Sequence, residues 1–184
     1  MVRADARQNR ARILSAAREA FAVDGATSMN QVAQLAGVGA GTLYRNFPTR
    51  EALVLAVYQD EVDRIVGEVP DLLAELPPLE ALRVWTTDLV AAMRRKHGLG
   101  NALSASAHQA VADYSQGPVI GAIAALFRAG QAAGTIRADA DPADFLQLTG
   151  ALWRATSGPD DRSPRMLALI LDGLRPRPGS EPHP

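Results

Sequence analysis

Apolar residues recur at helical spacing along most of the chain, and the points where that pattern stops mark its elements. Ile13, Leu14, Ala17 and Phe21 share one face until Asp24-Gly25 ends the run, which predicts a first helix behind a polar, arginine-bearing mobile arm at 1–8. Ser28, Met29, Asn30 and Gln31 read as a capping box, in which the serine hydroxyl takes an orphan N–H and the glutamine reaches back, so a short helix is expected over about 29–36. Gly37-Val38-Gly39 interrupts it, and a second short helix is expected over about 40–46, before Phe47-Pro48. Thr49 is a natural N-cap for a long helix with Leu53, Ala56, Val57 and Ile65 on one side, ending near Pro70 and linking two domains.

Pro77-Pro78 marks the next break. Leu82, Trp85, Leu89, Ala92 and Met93 then line a helix that ends near His97-Gly98, and 99–117 reads as a less regular helical stretch. A further helix is predicted from Pro118 on Val119, Ile120, Ile123 and Phe127, weakened toward its end by Gly130 and Gly134. Phe145, Leu148, Leu152 and Trp153 define another between Pro142 and Gly158-Pro159, and Met166, Leu167, Ile170, Leu171 and Leu174 a strongly apolar last one. β-branched residues never alternate in runs, so the fold class is all-α. The tail at 175–184 holds four prolines and no core-forming residue, and disorder is expected there.

Composition narrows the function. With 184 residues, 47% of them hydrophobic, the chain can bury a sizeable core. No apolar stretch approaches the ~18 residues that span a bilayer and no signal peptide is visible, so the expected location is cytoplasmic, without a membrane partner. The absence of cysteine excludes disulfides and thiolate chemistry, and His97, His108 and His183 are too scattered for a metal site; no cofactor is expected. The net charge of −1 hides an asymmetry. Residues 1–50 hold seven arginines against three acids (Asp5, Glu19, Asp24), a net +4, whereas the rest carries twelve basic against seventeen acidic residues. A basic end on an acidic body suits a protein that presents one end to phosphates.

The informative segment is 27–58. Small Ala33, Gly37 four positions later and apolar Leu43 six beyond that have helix-turn-helix spacing: alanine permits close approach, glycine the left-handed turn, and Val32, Ala36, Val38 and Leu43 the buried side. Gly39, Ala40, Gly41, Thr42, Tyr44, Arg45 and Asn46 then face outward. Spacing alone also fits a helical hairpin that only packs. Phe47 is expected in the core, and Tyr44 either there or outward.

The run Thr42-Leu43-Tyr44-Arg45-Asn46-Phe47-Pro48-Thr49-Arg50-Glu51-Ala52-Leu53 resembles the signature of the TetR (tetracycline repressor) family. That resemblance covers about residues 9–67 and implies a three-helix DNA-binding head, followed by a helical ligand-sensing and dimerisation domain at 75–174. It implies that Thr27 and Ser28 lie at the head's phosphate contacts, that Thr42 and Tyr44 touch backbone and base edge, and that Arg50 grips phosphate. Arg45 and Asn46 are chemically suited to guanine and adenine edges. The sequence departs from the family where Asn46 stands in place of a frequent histidine, and where Gly39-Ala40-Gly41 offers no side chain to read a base. Leu76 to Leu82 with Lys96-His97-Gly98-Leu99 is similar to a subset of TetR-like regulators from high-GC bacteria, which suits 18 arginines against one lysine.

In the second domain Trp85, Leu89, Met93, Leu103, Phe127 and Trp153 are candidates to line an apolar ligand pocket, with His97, His108, Tyr114 or Thr149 as polar anchors; the plain alternative is that most are core. The last two helices, about 141–156 and 163–174, are expected to form a homodimer interface through the terminal apolar stripe with Gly150, Ala151 and Ala155. Burial of that stripe within the monomer is the alternative. The expected function is a repressor that binds an inverted-repeat duplex operator and is released by a small hydrophobic effector. Other readings are a constitutive regulator, an activator, or a helical-bundle enzyme built on Asp139, Asp141 and Asp144.

Overall fold

A computed structural model describes residues 2–98, 104–154 and 161–176. Among them the elements are all helical: α1 (Val2–Val23), α2 (Met29–Leu35), α3 (Ala40–Asn46), α4 (Arg50–Gly67), α5 (Val69–Glu75), α6 (Pro78–Gly98), α7 (Ala105–Ala132), α8 (Pro142–Arg154) and α9 (Ser163–Gly173). They divide into two compact units, residues 1–61 with 95–115, and residues 62–94 with 116–184. Leu103, the side chains of His97 and His108, and the tail from 177 lie outside the described residues.

The first unit has its own core. Ile13, Ala17, Val32, Leu43, Leu53 and Val54 are essentially inaccessible, and Phe21, Ala33, Phe47 and Tyr58 are buried with them. Each fully buried Leu or Ile contributes roughly 1.5–3 kcal/mol, which is how seven-residue helices too short to persist alone are held. Charges staple the edge of this core: Arg18 of α1 pairs with Asp60 and Glu61 of α4, and Arg95 of α6 also meets Glu61.

The second core gathers Ile65, Leu82, Trp85, Leu89, Ile123, Leu126, Phe127, Phe145, Leu152, Leu167 and Leu171. The Trp85 indole N–H donates to the Ile65 carbonyl at 2.9 Å, so the largest buried side chain leaves its polar atom satisfied. Phe127 and Phe145 meet edge to face, with centroids 5.4 Å apart. Gly130 marks a close approach, since a Cβ there would sit 2.5 Å from Ile136 Cδ1.

Two boundaries differ from expectation, the arm and Pro118, each for a local reason. The arm expected at 1–8 is helical from Val2, because alanine, arginine and glutamine are strong helix formers and no breaker stands among them; polarity alone does not unwind a segment. The long helix from Thr49 ends near Pro70 as expected, at Gly67, and Pro70 itself lies in the first turn of the short α5, where a missing N–H costs nothing. Pro118 sits inside α7 instead of opening a new helix. It is exposed, and Gly117 before it lacks the Cβ that the proline ring would crowd.

Candidate nucleic-acid interface

The motif at 27–58 folds as a helix, tight turn and second helix. Ser28 caps α2 as expected: the Gln31 N–H donates to Ser28 Oγ at 3.3 Å, and the Ser28 N–H donates to Gln31 Oε1 at 2.8 Å. The other end of α2 closes with paired bonds, Val38 N–H to the Ala33 carbonyl at 3.0 Å and Gly37 N–H to Gln34 at 3.1 Å. That reversal needs a left-handed residue, and Gly37 has φ +61°. Arg12 of α1 donates from Nη2 to the Gly37 carbonyl, tying the turn to the first helix. The Ala52 N–H donates to Thr49 Oγ1 at 3.0 Å at the start of α4.

With Leu43 fully buried beneath it, α3 turns Ala40, Gly41, Tyr44 and Arg45 to the exposed side. Tyr44 is 45% exposed and so takes the outward alternative, while Phe47 is core. Thr42 is half-buried; Arg45 donates to its hydroxyl at 3.2 Å, and Asn46 Nδ2 donates to its carbonyl at 2.8 Å. Gly39 and Gly41 meet nothing within 4 Å of where a Cβ would be, so packing does not require glycine there. Ser28, Gly39, Ala40, Gly41, Tyr44 and Arg45 are exposed, and Thr42 and Asn46 half-buried.

Two of the expected contact residues make contacts within the first unit. Thr27 is buried, and its hydroxyl donates to the Asp24 carbonyl at 2.7 Å. Arg50 is half-buried, donates to the Gly25 carbonyl and lies 5.0 Å from the Phe21 ring centroid. Two arginines that the motif did not single out stand by the turn and α3: Arg12 at Gly37, and Arg10, whose guanidinium lies 4.6 Å over the Phe47 ring. Arg10 lies in line with the apolar face of α1, one turn before Ile13 and Leu14, and Arg12 on the opposite side, so their places on the helix carry no common signal.

In the second unit Trp85, Leu89 and Phe127 are core, and Met93 and Trp153 half-buried against it. Thr149 is buried, with its hydroxyl donating to Leu146. A cavity of about 580 Å³ lies elsewhere, lined by α6, Leu152 of α8, and α9; none of the described candidate ligand residues lines it. Arg94 forms one wall, donating to both Asp161 oxygens (2.7 and 2.9 Å), the Leu152 carbonyl (3.0 Å) and Ser163 Oγ (3.0 Å). Hydrogen bonds from Arg94 and Ser163 hold the Asp161 carboxyl well below the usual carboxylate range.

The terminal stripe is mostly spent within the chain. Leu167 and Leu171 are buried and Met166, Ile170 and Leu174 half-buried, whereas Leu148 of α8 and Leu169 of α9 are 59% and 72% exposed. The two acids before α8 have local roles, and Asp144 lies in its first turn: Asp141 accepts from the Ala143 and Asp144 N–H groups, and Asp139 pairs with Arg137. Among the described residues no helix is long and apolar enough to cross a membrane.

Comparison with known proteins agrees with this geometry. The profile described as bacterial regulatory proteins, tetR family, matches residues 13–57, and that of the SbtR-like transcriptional regulator C-terminal domain matches residues 77–176. The fold is similar to that of a TetR transcriptional regulator from Streptomyces coelicolor, with TM-score 0.80 and 43% identity over 92% of this chain and 99% of that one. A TetR transcription regulatory protein from Mycobacterium vanbaalenii gives TM-score 0.73 and 38% identity over 95% and 99%. An HTH-type transcriptional regulator from Staphylococcus aureus strain USA300 is 41% identical over 64 residues, 34% of this chain and 35% of that protein. One from strain MRSA252 is 43% identical over 47 residues, 26% and 25% of the two. The chain therefore spans a quarter to about a third of the length of these curated relatives.

Proposed function

Because the chain belongs to the TetR family of transcriptional regulators, and is a DNA-binding regulator and not an enzyme, we propose that it acts as a homodimeric repressor released from an inverted-repeat operator by a small apolar effector. The observation that carries the DNA half is the exposed row on α3, set over a fully buried Leu43 and a left-handed Gly37. Tyr44, Arg45 and Asn46 supply the side chains for base edges, and Ser28, Arg10 and Arg12 the donors and charge for phosphates. Arg50 and Thr27 act by positioning: Arg50 ties the Asp24–Gly25 turn to α4, and the Thr27 hydroxyl closes that turn on the Asp24 carbonyl.

Exposed Leu148 and Leu169 on two helices that pack on each other support a dimer through α8 and α9. The cavity between α6 and α9 supports an effector domain. A ligand changes operator affinity only through its preference for one state, and a full reversal from 99:1 to 1:99 takes about 5.5 kcal/mol. The reading places the protein in the cytoplasm, with its DNA.

The test is binding to duplexes selected from a random pool. An inverted repeat with half-site centres about one helical turn (~34 Å) or a multiple apart is expected, and scrambling one half-site should remove most of the affinity. Undiminished binding to the scrambled duplex would rule out the symmetric dimer.

A further inference from the structure

We infer that the cavity between α6 and α9 is the effector site, and that it takes an uncharged, predominantly apolar molecule. This deepens the proposed function and rests on it for the link to DNA, though not for binding. The expected ligand residues Trp85, Leu89 and Phe127 are packed into the core, with the indole N–H already committed to Ile65, so a ligand among them would have to open that packing. The cavity asks for no such opening. Its volume of about 580 Å³ is within the range of small-molecule sites.

Its chemistry follows from how its polar groups are used. Val90 and Ala91 of α6, Leu152 of α8, and Pro164, Leu167, Ala168 and Leu171 of α9 give it apolar walls. Two cations line it, and each is matched: Arg83 by Glu80 through two hydrogen bonds, Arg94 by Asp161 through two more. Ser163 donates to Asp161 at 2.7 Å, and the Thr87 hydroxyl donates to the Arg83 carbonyl at 2.9 Å. An anionic ligand would have to share an arginine whose charge Asp161 or Glu80 already neutralises, and a cation would have to share a carboxylate already paired with an arginine. An uncharged apolar molecule leaves both pairs intact and gains the apolar walls. The Arg94 clamp thereby shapes one end of the site while presenting no net charge to it.

The probe is N-phenylnaphthylamine, uncharged and fluorescent on entering an apolar site, titrated into the full chain without DNA. Saturable binding is expected. Thr87→Trp and Ala168→Trp, on opposite walls at exposed positions, should each weaken it about tenfold or more, since about 60 Å² of lost apolar contact already corresponds to a tenfold change. Arg128→Trp, exposed on α7 and outside the cavity, should not weaken it, and circular dichroism checks that each variant keeps its helix content. Decanol should displace the probe at lower concentration than decanoate. Absence of saturable binding, binding unaffected by both wall variants, or better displacement by decanoate would overturn the inference. So would conversion of a dimer to monomer by both wall variants in sedimentation without saturable probe binding, which would mean that a second copy fills the cavity. Operator affinity is then measured with and without the probe. Wall-dependent probe binding that leaves operator affinity unchanged would keep the site and remove the release mechanism.

Discussion

Gly37 and Gly41 stand four residues apart and obey opposite rules. Gly37 holds φ +61°, and a Cβ there would come within 2.6 Å of Arg12 Nη2. The arginine tip can swing away but the backbone cannot, so Gly37→Ala is expected to destabilise the protein by about 1–2 kcal/mol, read from denaturant unfolding. Gly41 is the second residue of α3, with ordinary helical backbone and open space around it. Gly41→Ala is therefore expected to stabilise by about 0.5–1 kcal/mol, and if the bare backbone serves close approach to DNA, operator affinity falls while stability rises. Equal signs for the two stability changes would contradict this account of the turn. Trp85→Phe isolates a third kind of contribution: it keeps most of the buried ring but removes the donor to Ile65, an expected loss of about 1–3 kcal/mol.

At the scale of elements, what was legible in the sequence was whatever local chemistry fixes. The capping box at Ser28, the N-cap at Thr49, the glycine turn and the buried Leu43 follow from hydrogen-bond valence and periodicity over a few residues, and the structure contains each. Pro118 reads as a break in the sequence but sits inside α7, because a proline's cost depends on its place in the turn and on what surrounds it, which a single sequence does not display. The inward aim of Thr27 and Arg50 depends on the Asp24–Gly25 turn and the Phe21 ring beside them, and the Arg94–Asp161 pair joins residues 67 positions apart. That pair has a pH signature. Its folded carboxyl is held below the ordinary value, so its contribution is present above the unfolded-state pKa of about 3.9 and is lost as pH falls toward the lower folded value. Asp161→Asn should lower the thermal midpoint at neutral pH, and the gap to the unaltered protein should close as pH is lowered through the acid range. A gap that widened on acidification would assign the shift the wrong sign.

At the scale of the whole molecule, charge and apolar surface divide the work. Residues 1–50 carry the net positive charge and the exposed α3 row, while Leu148 and Leu169 stand exposed on α8 and α9. The terminal stripe looked like an interface because its period could not tell which leucines the chain would bury itself; Leu167 and Leu171 proved internal, and Leu169 is left outside at 72% exposure. A charge at Leu169 should therefore leave the fold intact and act on self-association alone. If two copies join there, Leu169→Asp places two like charges near the two-fold axis in a surface that must lose its water, and the dimer weakens. Sedimentation should then show monomer at concentrations where the unaltered chain is dimeric. Affinity for a two-half-site duplex should drop steeply, because the second head no longer arrives at the high effective concentration that linkage provides, whereas affinity for a single half-site should stay the same. Loss of single half-site binding would place Leu169 in the fold and not in the interface, and an unchanged dimer would move the interface off this face of α9.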